Sequence, residues 1–123
     1  MAALRQLRPD AKVLLLGLLP RAPRSTGASL RPDKNYFVER LKAANENARL
    51  LAASDPALQY LDAWDLFTVE KNGQVHIDVD KMPDLLHPSH IGMRIWGARV
   101  RDRVSQMLLA PSSQPPAAST PPT

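Results

Sequence analysis

The sequence predicts an α/β fold built on parallel strands, and three observations carry that prediction. A short apolar run, Val13 to Leu19, is bounded by turn-forming residues, as a strand covered on both faces should be. An amphipathic stretch of helical period follows it. A second short apolar segment, Leu58 to Asp62, comes after a proline stop. A strand, a helix and a strand of this length form a crossover unit, so the two strands should run parallel with a right-handed connection. The chain has 123 residues, 44% of them apolar and 23% charged, which suits one small globular domain.

Each element has its own signal. The strand at 13–18 ends in Pro20-Arg21, and Pro20 to Pro32 is rich in Pro, Arg, Ser and Gly, which reads as an exposed loop. Asp33 is placed to cap a helix over Lys34 to Ala53. Phe37, Leu41, Ala44, Ala48 and Leu51 recur at steps of four and three and form its apolar stripe. Arg40, Lys42, Asn45, Glu46 and Arg49 take the wet positions. Ser54-Asp55-Pro56 stops the helix, because proline lacks the amide hydrogen and clashes with the preceding turn. After the strand at 58–62, Trp64 to Phe67 reads as a short helical turn. Asn72-Gly73, between Thr68-Val69 and Val75-His76-Ile77, signals a hairpin. Lys81 to His87 is a loop. Ser89 caps a last helix ending near Leu109, with Met93, Trp96, Val100, Val104 and Met107 inward and Arg94, Arg99, Arg101, Asp102 and Arg103 mostly outward. From Pro111 the chain holds only Pro, Ser, Gln, Ala and Thr, so 111–123 is expected to be a disordered tail on a domain at 1–110.

Composition excludes several classes. Without cysteine there is no disulfide framework, thiolate metal site or cysteine nucleophile, and the cytoplasm is permitted as a compartment. The net charge of +4 invites a nucleic-acid reading. Yet residues 1–50 hold ten Lys/Arg against four Asp/Glu, whereas residues 51–123 hold six against eight. That basic excess is diffuse and has few aromatics to stack on bases, so no nucleic-acid partner is expected. The longest apolar run is too short to span a bilayer. Arg5, Arg8 and Lys12 ahead of that run give the outline of a signal or transit peptide, against which stand its shortness and its abrupt end in Pro20.

The stretch richest in chemistry is Pro83-Asp84-Leu85-Leu86-His87-Pro88-Ser89-His90-Ile91-Gly92-Met93-Arg94-Ile95-Trp96. An Asp three residues before a His, on a loop entering a helix, lets one tight turn join carboxylate to imidazole. The carboxylate would hold Nδ1–H and leave Nε2 to take a proton. Spacing alone also fits an ordinary loop.

Asp84-x-x-His87-Pro88, followed by Gly92 and an aromatic-bearing helix, resembles the last block of the SGNH (GDSL-type) esterases. Leu16-Gly17-Leu18-Leu19-Pro20-Arg21 is similar to the fourth-strand segment of their platelet-activating-factor acetylhydrolase branch. The resemblance runs from about Leu4 to Leu109. It implies a flavodoxin-like three-layer sandwich with the strands at 13–18 and 58–62 at one side of a five-stranded sheet, and so a core strand rather than a cleaved signal at 13–19. It also implies ester hydrolysis with His87 as general base and later acid, Asp84 as its orienting partner, and no metal or organic cofactor. The Gly-Asp-Ser nucleophile block and the Gly and Asn oxyanion donors of that family are not found. Ser25, Ser29, Ser54 and Ser89 lie in loops or caps without such context. The expectation is therefore the C-terminal half of such a hydrolase, with the N-terminal half of the sheet missing, inactive alone and prone to self-associate through an unpaired sheet edge. Its substrate would be a small-molecule, lipid or carbohydrate ester. A non-catalytic interaction module on the same scaffold is the alternative.

Weaker candidates are His87 with His90, and His76, Asp78 and Asp80, as metal ligands. No third or fourth ligand is implied to complete a site, and alternating polar residues are the ordinary wet side of a strand. Trp64 and Trp96 are expected in the core. Asp62 lies at the carboxyl edge of the sheet, where ligands bind in α/β folds, and would equally cap the following turn.

Overall fold

A computed structural model describes residues 6–109, so the tail expected at 111–123 and the start of the N-terminal basic segment lie outside the described residues. The element order is β1 (Val13–Leu16), α1 (Phe37–Ala53), β2 (Leu58–Leu61), a 3-10 turn (Trp64–Phe67), β3 (Thr68–Lys71), β4 (Gln74–Ile77) and α2 (His90–Leu109). β1 and β2 are parallel, with Val13 opposite Leu58 and Leu16 opposite Leu61. β3 and β4 form an antiparallel hairpin whose turn residues Asn72 and Gly73 have φ of 53° and 76°, the left-handed pair that a two-residue turn requires. The chain is thus a mixed α/β structure with a small parallel sheet and two long helices. No helix among the described residues is long and apolar enough to cross a membrane.

β1 is shorter than the expected strand at 13–18, and Asn45 is the reason. Gly17 N–H still bonds the Leu61 carbonyl at 2.9 Å. At Leu18, however, both backbone groups are taken by the Asn45 side chain, at 2.7 Å and 3.0 Å, so the chain leaves the ladder there. Asn45 was expected on the wet side of its helix. α1 instead turns Phe37, Val38, Leu41, Asn45, Ala48 and Ala52 inward, while Ala44 and Leu51 are exposed.

The start of α1 also departs from expectation. Asp33 does not cap it, because both Asp33 carboxylate oxygens accept from Arg31 at 2.8 Å and 3.1 Å. The helix begins at Phe37, whose N–H donates to Asn35 Oδ1 at 3.0 Å. The Asn35 amide donates in turn to the carbonyls of Arg21 and Ser29, at 2.8 Å and 3.1 Å. This buried side chain thereby satisfies three main-chain groups, as a polar residue in the interior must.

Those bonds explain why the segment at 20–32 is not simply an exposed loop. Pro20, Ala22 and Leu30 are buried, and Ala28–Leu30 runs against β4 through Ile77 N–H to Ala28 and Leu30 N–H to Val75. The principal core therefore lies beyond the carboxyl ends of β1 and β2. Ala22, Leu30, Val38, Phe67, Ile77 and Met82 form it, with Leu19, Trp64, Leu85 and Trp96 packed around.

On α2 the expected Ser89 cap is present, its Oγ accepting Gly92 N–H at 3.1 Å. The inward face agrees with the expected one at Trp96, Val100 and Met107 and departs from it elsewhere. Gly92 and Met107 are its buried residues, and Met93 and Val104 are exposed. Arg99 and Arg103, expected outside, are half-buried and tie α2 to the end of β2. Arg99 grips Asp65 through two bonds of 2.7 Å and 3.1 Å, and Arg103 reaches the Tyr60 carbonyl at 3.1 Å.

Candidate functional site

The loop entering α2 is shaped by one unusual backbone angle. Leu85 has φ of 65°, a left-handed conformation costly for a bulky side chain. Its surroundings hold it there: Leu85 packs against the core, its N–H donates to Met82, and its carbonyl accepts Ala22 N–H at 3.0 Å. The kink folds the next two residues back over Asp84. Asp84 Oδ1 accepts Leu86 N–H at 2.9 Å and His87 N–H at 2.6 Å, and Oδ2 lies 2.6 Å from His87 Nδ1. The two residues singled out by the sequence are thus brought into direct contact.

Electrostatics fixes the proton on this pair. The His87 backbone N–H, and after it the imidazole and Leu86 N–H, hold the Asp84 carboxyl well below the usual carboxylate range. An ionised carboxylate only accepts, so Nδ1 is the donor, and a ring carrying that single proton presents Nε2 as an acceptor. The His87 side chain is 74% exposed and faces a cleft of about 360 Å³. Arg21, Arg24, Tyr36, Phe37 and Leu86 line that cleft with the pair. Such an arrangement takes a proton from a neighbouring hydroxyl and returns it. Among the described residues no hydroxyl hydrogen-bonds to the ring. Ser29 Oγ accepts Arg31 N–H, Ser54 Oγ donates to Leu51, and Ser89 Oγ bonds Asp80 and Gly92.

A larger cavity of about 710 Å³ lies between β2 and the two helices. Its cations are already engaged, Arg49 by Glu46, Arg99 by Asp65 and Arg103 by Gln59 and Tyr60. It offers no free acid–base pair. His90 bonds Arg94 rather than joining His87, and His76 lies on β4 beside Gln74. Among the described residues no three His, Cys, Asp or Glu side chains come together. Asp62 serves the turn, its Oδ1 accepting Trp64 N–H at 3.0 Å. Trp64 and Trp96 pack on the core, Trp96 edge-on to Phe67 with centroids 6.3 Å apart. Sequence reasoning missed Asn35 and the role of Arg21 in the cleft wall. An isolated Asn before an apolar pair was the only signal for the first.

Asp65, beside the Arg99 guanidinium, is likewise held below the ordinary carboxylate value of 3.8. For both aspartates the folded state binds the proton less well than the unfolded chain. Their contribution to stability is therefore complete above that value and is lost as pH falls through the lower folded-state values. Urea midpoints measured from about pH 5 downward are expected to decline more steeply for the wild type than for Asp65→Asn or Asp84→Asn. Parallel acid limbs in all three proteins would contradict these pairings.

Comparisons with protein-family models and with curated proteins returned no match for this chain.

Proposed function

We propose that this chain supplies the histidine–carboxylate half of an SGNH-type ester hydrolase. The observation that carries the reading is the 2.6 Å contact between His87 Nδ1 and Asp84 Oδ2, made by a carboxylate whose other oxygen is locked by two backbone amides. The parallel pairing of β1 and β2 across α1 is consistent with one side of a flavodoxin-like sheet. In this reading His87 Nε2 takes the proton of a serine hydroxyl as that oxygen attacks the ester carbonyl. Asp84 stabilises the imidazolium that results. The same proton then passes to the departing alkoxide, and a water repeats the cycle on the acyl-enzyme. The serine and its oxyanion donors come from sequence outside these 123 residues.

Nitrogen-15 NMR of the imidazoles tests the proposal. In the wild type, His87 is expected as the Nδ1–H tautomer. In Asp84→Asn an amide N–H faces the ring, Nδ1 becomes an acceptor, and the proton moves to Nε2, the form that cannot act as base. A change of this kind lowers kcat about 10⁴-fold in a serine-protease triad. An Nε2–H tautomer in the wild type would overturn the assignment of His87 as base. The reading frame upstream of Met1 separates the remaining readings. A Gly-Asp-Ser block in frame supports the hydrolase, and a stop codon there favours an interaction module.

A further inference from the structure

The cleft beside His87 holds a cation that the Asp84–His87 pair does not use. Arg21 follows Pro20 out of β1, and its backbone is fixed by Asn35 at 2.8 Å. Its guanidinium carbon stands 4.1 Å from the centroid of the Phe37 ring, so the planar group is stacked rather than free to swing. Arg21 Nε is buried and has no hydrogen-bond partner among the described residues. No carboxylate pairs with Arg21 among the described residues, whereas Arg31, Arg49 and Arg99 each hold one. The single acid in the cleft wall is Asp84, and both its oxygens are already occupied.

Two further features have the same sign. Arg24 lines the cleft, so its fixed charges are two positive against one negative. The first turn of α1 lies on the same wall through Tyr36 and Phe37, and Asn35 Oδ1, which accepts the Phe37 N–H, carries no charge to offset the helix end. The positive end of a 17-residue helix therefore adds to the field there. A partly buried, stacked and unpaired guanidinium is built to meet a planar or tetrahedral anion.

We infer that the cleft binds an anionic group, a carboxylate or phosphate, with Arg21 as the residue that pairs with it. The inference rests on the hydrolase reading only in making that group part of the ester; anion binding stands without it. The substrate class becomes esters that carry a negative charge within one side-chain length of the scissile bond.

The test uses the 123-residue chain, nitrogen-15 labelled and titrated separately with inorganic phosphate, glycerol 3-phosphate, acetate and choline chloride. Saturable shifts are expected at Arg21 Nε–H and at the His87 amide with the three anions and not with choline chloride. Arg21→Gln is expected to weaken binding about tenfold or more, the size of one lost charge-assisted hydrogen bond. Arg21→Lys should recover part of that loss, and Arg24→Gln should cost less than Arg21→Gln. The Trp96 indole resonance reports whether each variant keeps its fold. Absence of saturable shifts at Arg21, or equal affinity in a folded Arg21→Gln, overturns the inference. The His87 tautomer separates the two readings. The Nδ1–H form without anion binding leaves a hydrolase of uncharged esters. Anion binding with the Nε2–H form leaves an anion site and removes the hydrolase.

Discussion

Phe67→Ala is expected to remove about 3–5 kcal/mol of stability, the range for emptying a fully buried aromatic site. Phe67 is 0% exposed within the core cluster, and α2 packs on its ring from two positions. Trp96 packs edge-on from α2, and the 3-10 turn fixes the backbone. Gly92 lets α2 approach so closely that a β-carbon there would fall 2.8 Å from Phe67 Cε1 and 2.5 Å from the Lys81 carbonyl oxygen. Domains of this size have only about 5–15 kcal/mol in total. The loss should therefore move the urea midpoint by one molar or more at about 1–3 kcal/mol per molar. A glycine pair on the same helix checks the geometry independently. Gly92→Ala must displace backbone and should cost about 1–3 kcal/mol. At Gly97 nothing lies within 4 Å of an added β-carbon, so Gly97→Ala should gain up to about 1 kcal/mol of helix propensity. Equal effects at the two glycines would mean that α2 does not lie against Phe67 as described.

The second large effect is association. β1 pairs with β2 along one edge, and among the described residues no strand pairs with the other. Leu16 and Leu18, on and just after β1, are 43% and 49% exposed, and Ile91 and Met93 at the start of α2 are exposed as well. An open, apolar edge recruits strands from other chains, and a charge placed on it is the usual deterrent. The chain is expected to gain mass with concentration in light scattering and to melt at a temperature that depends on concentration. Leu16→Lys should suppress both. A monodisperse monomer with a sharp, concentration-independent transition would refute this expectation.

The order of elements, the parallel pairing, the Asn72-Gly73 turn, the Ser89 cap and the Asp84-x-x-His87 contact were all legible in the sequence. They are local, each settled by the chemistry of a few neighbouring residues. The faces of the helices were not. Periodicity reports which side chains avoid water, not which surface is present to cover them. On α1 the expected and observed stripes share Phe37, Leu41 and Ala48, but Asn45 displaces Ala44 because the Leu18 backbone needs a partner. On α2 the buried position nearest the core is a glycine, which a search for apolar side chains passes over. Asn35 was hidden for the related reason that its three bonds run to main-chain groups, which leave no mark in composition. Arg21 read as part of a basic loop, because cation stacking on Phe37 depends on a contact across 16 residues of chain.

The bond from Ala22 N–H to the Leu85 carbonyl joins the segment bearing Arg21 to the loop bearing His87 by main chain alone. No side-chain substitution deletes that bond directly, short of a proline at position 22. The spacing between the cationic wall and the imidazole is therefore set by the backbone, and the side chains decide only what that spacing displays. Substituting Arg21, Arg24 or Leu86 one at a time would change what the cleft displays without removing the bond that sets where His87 stands.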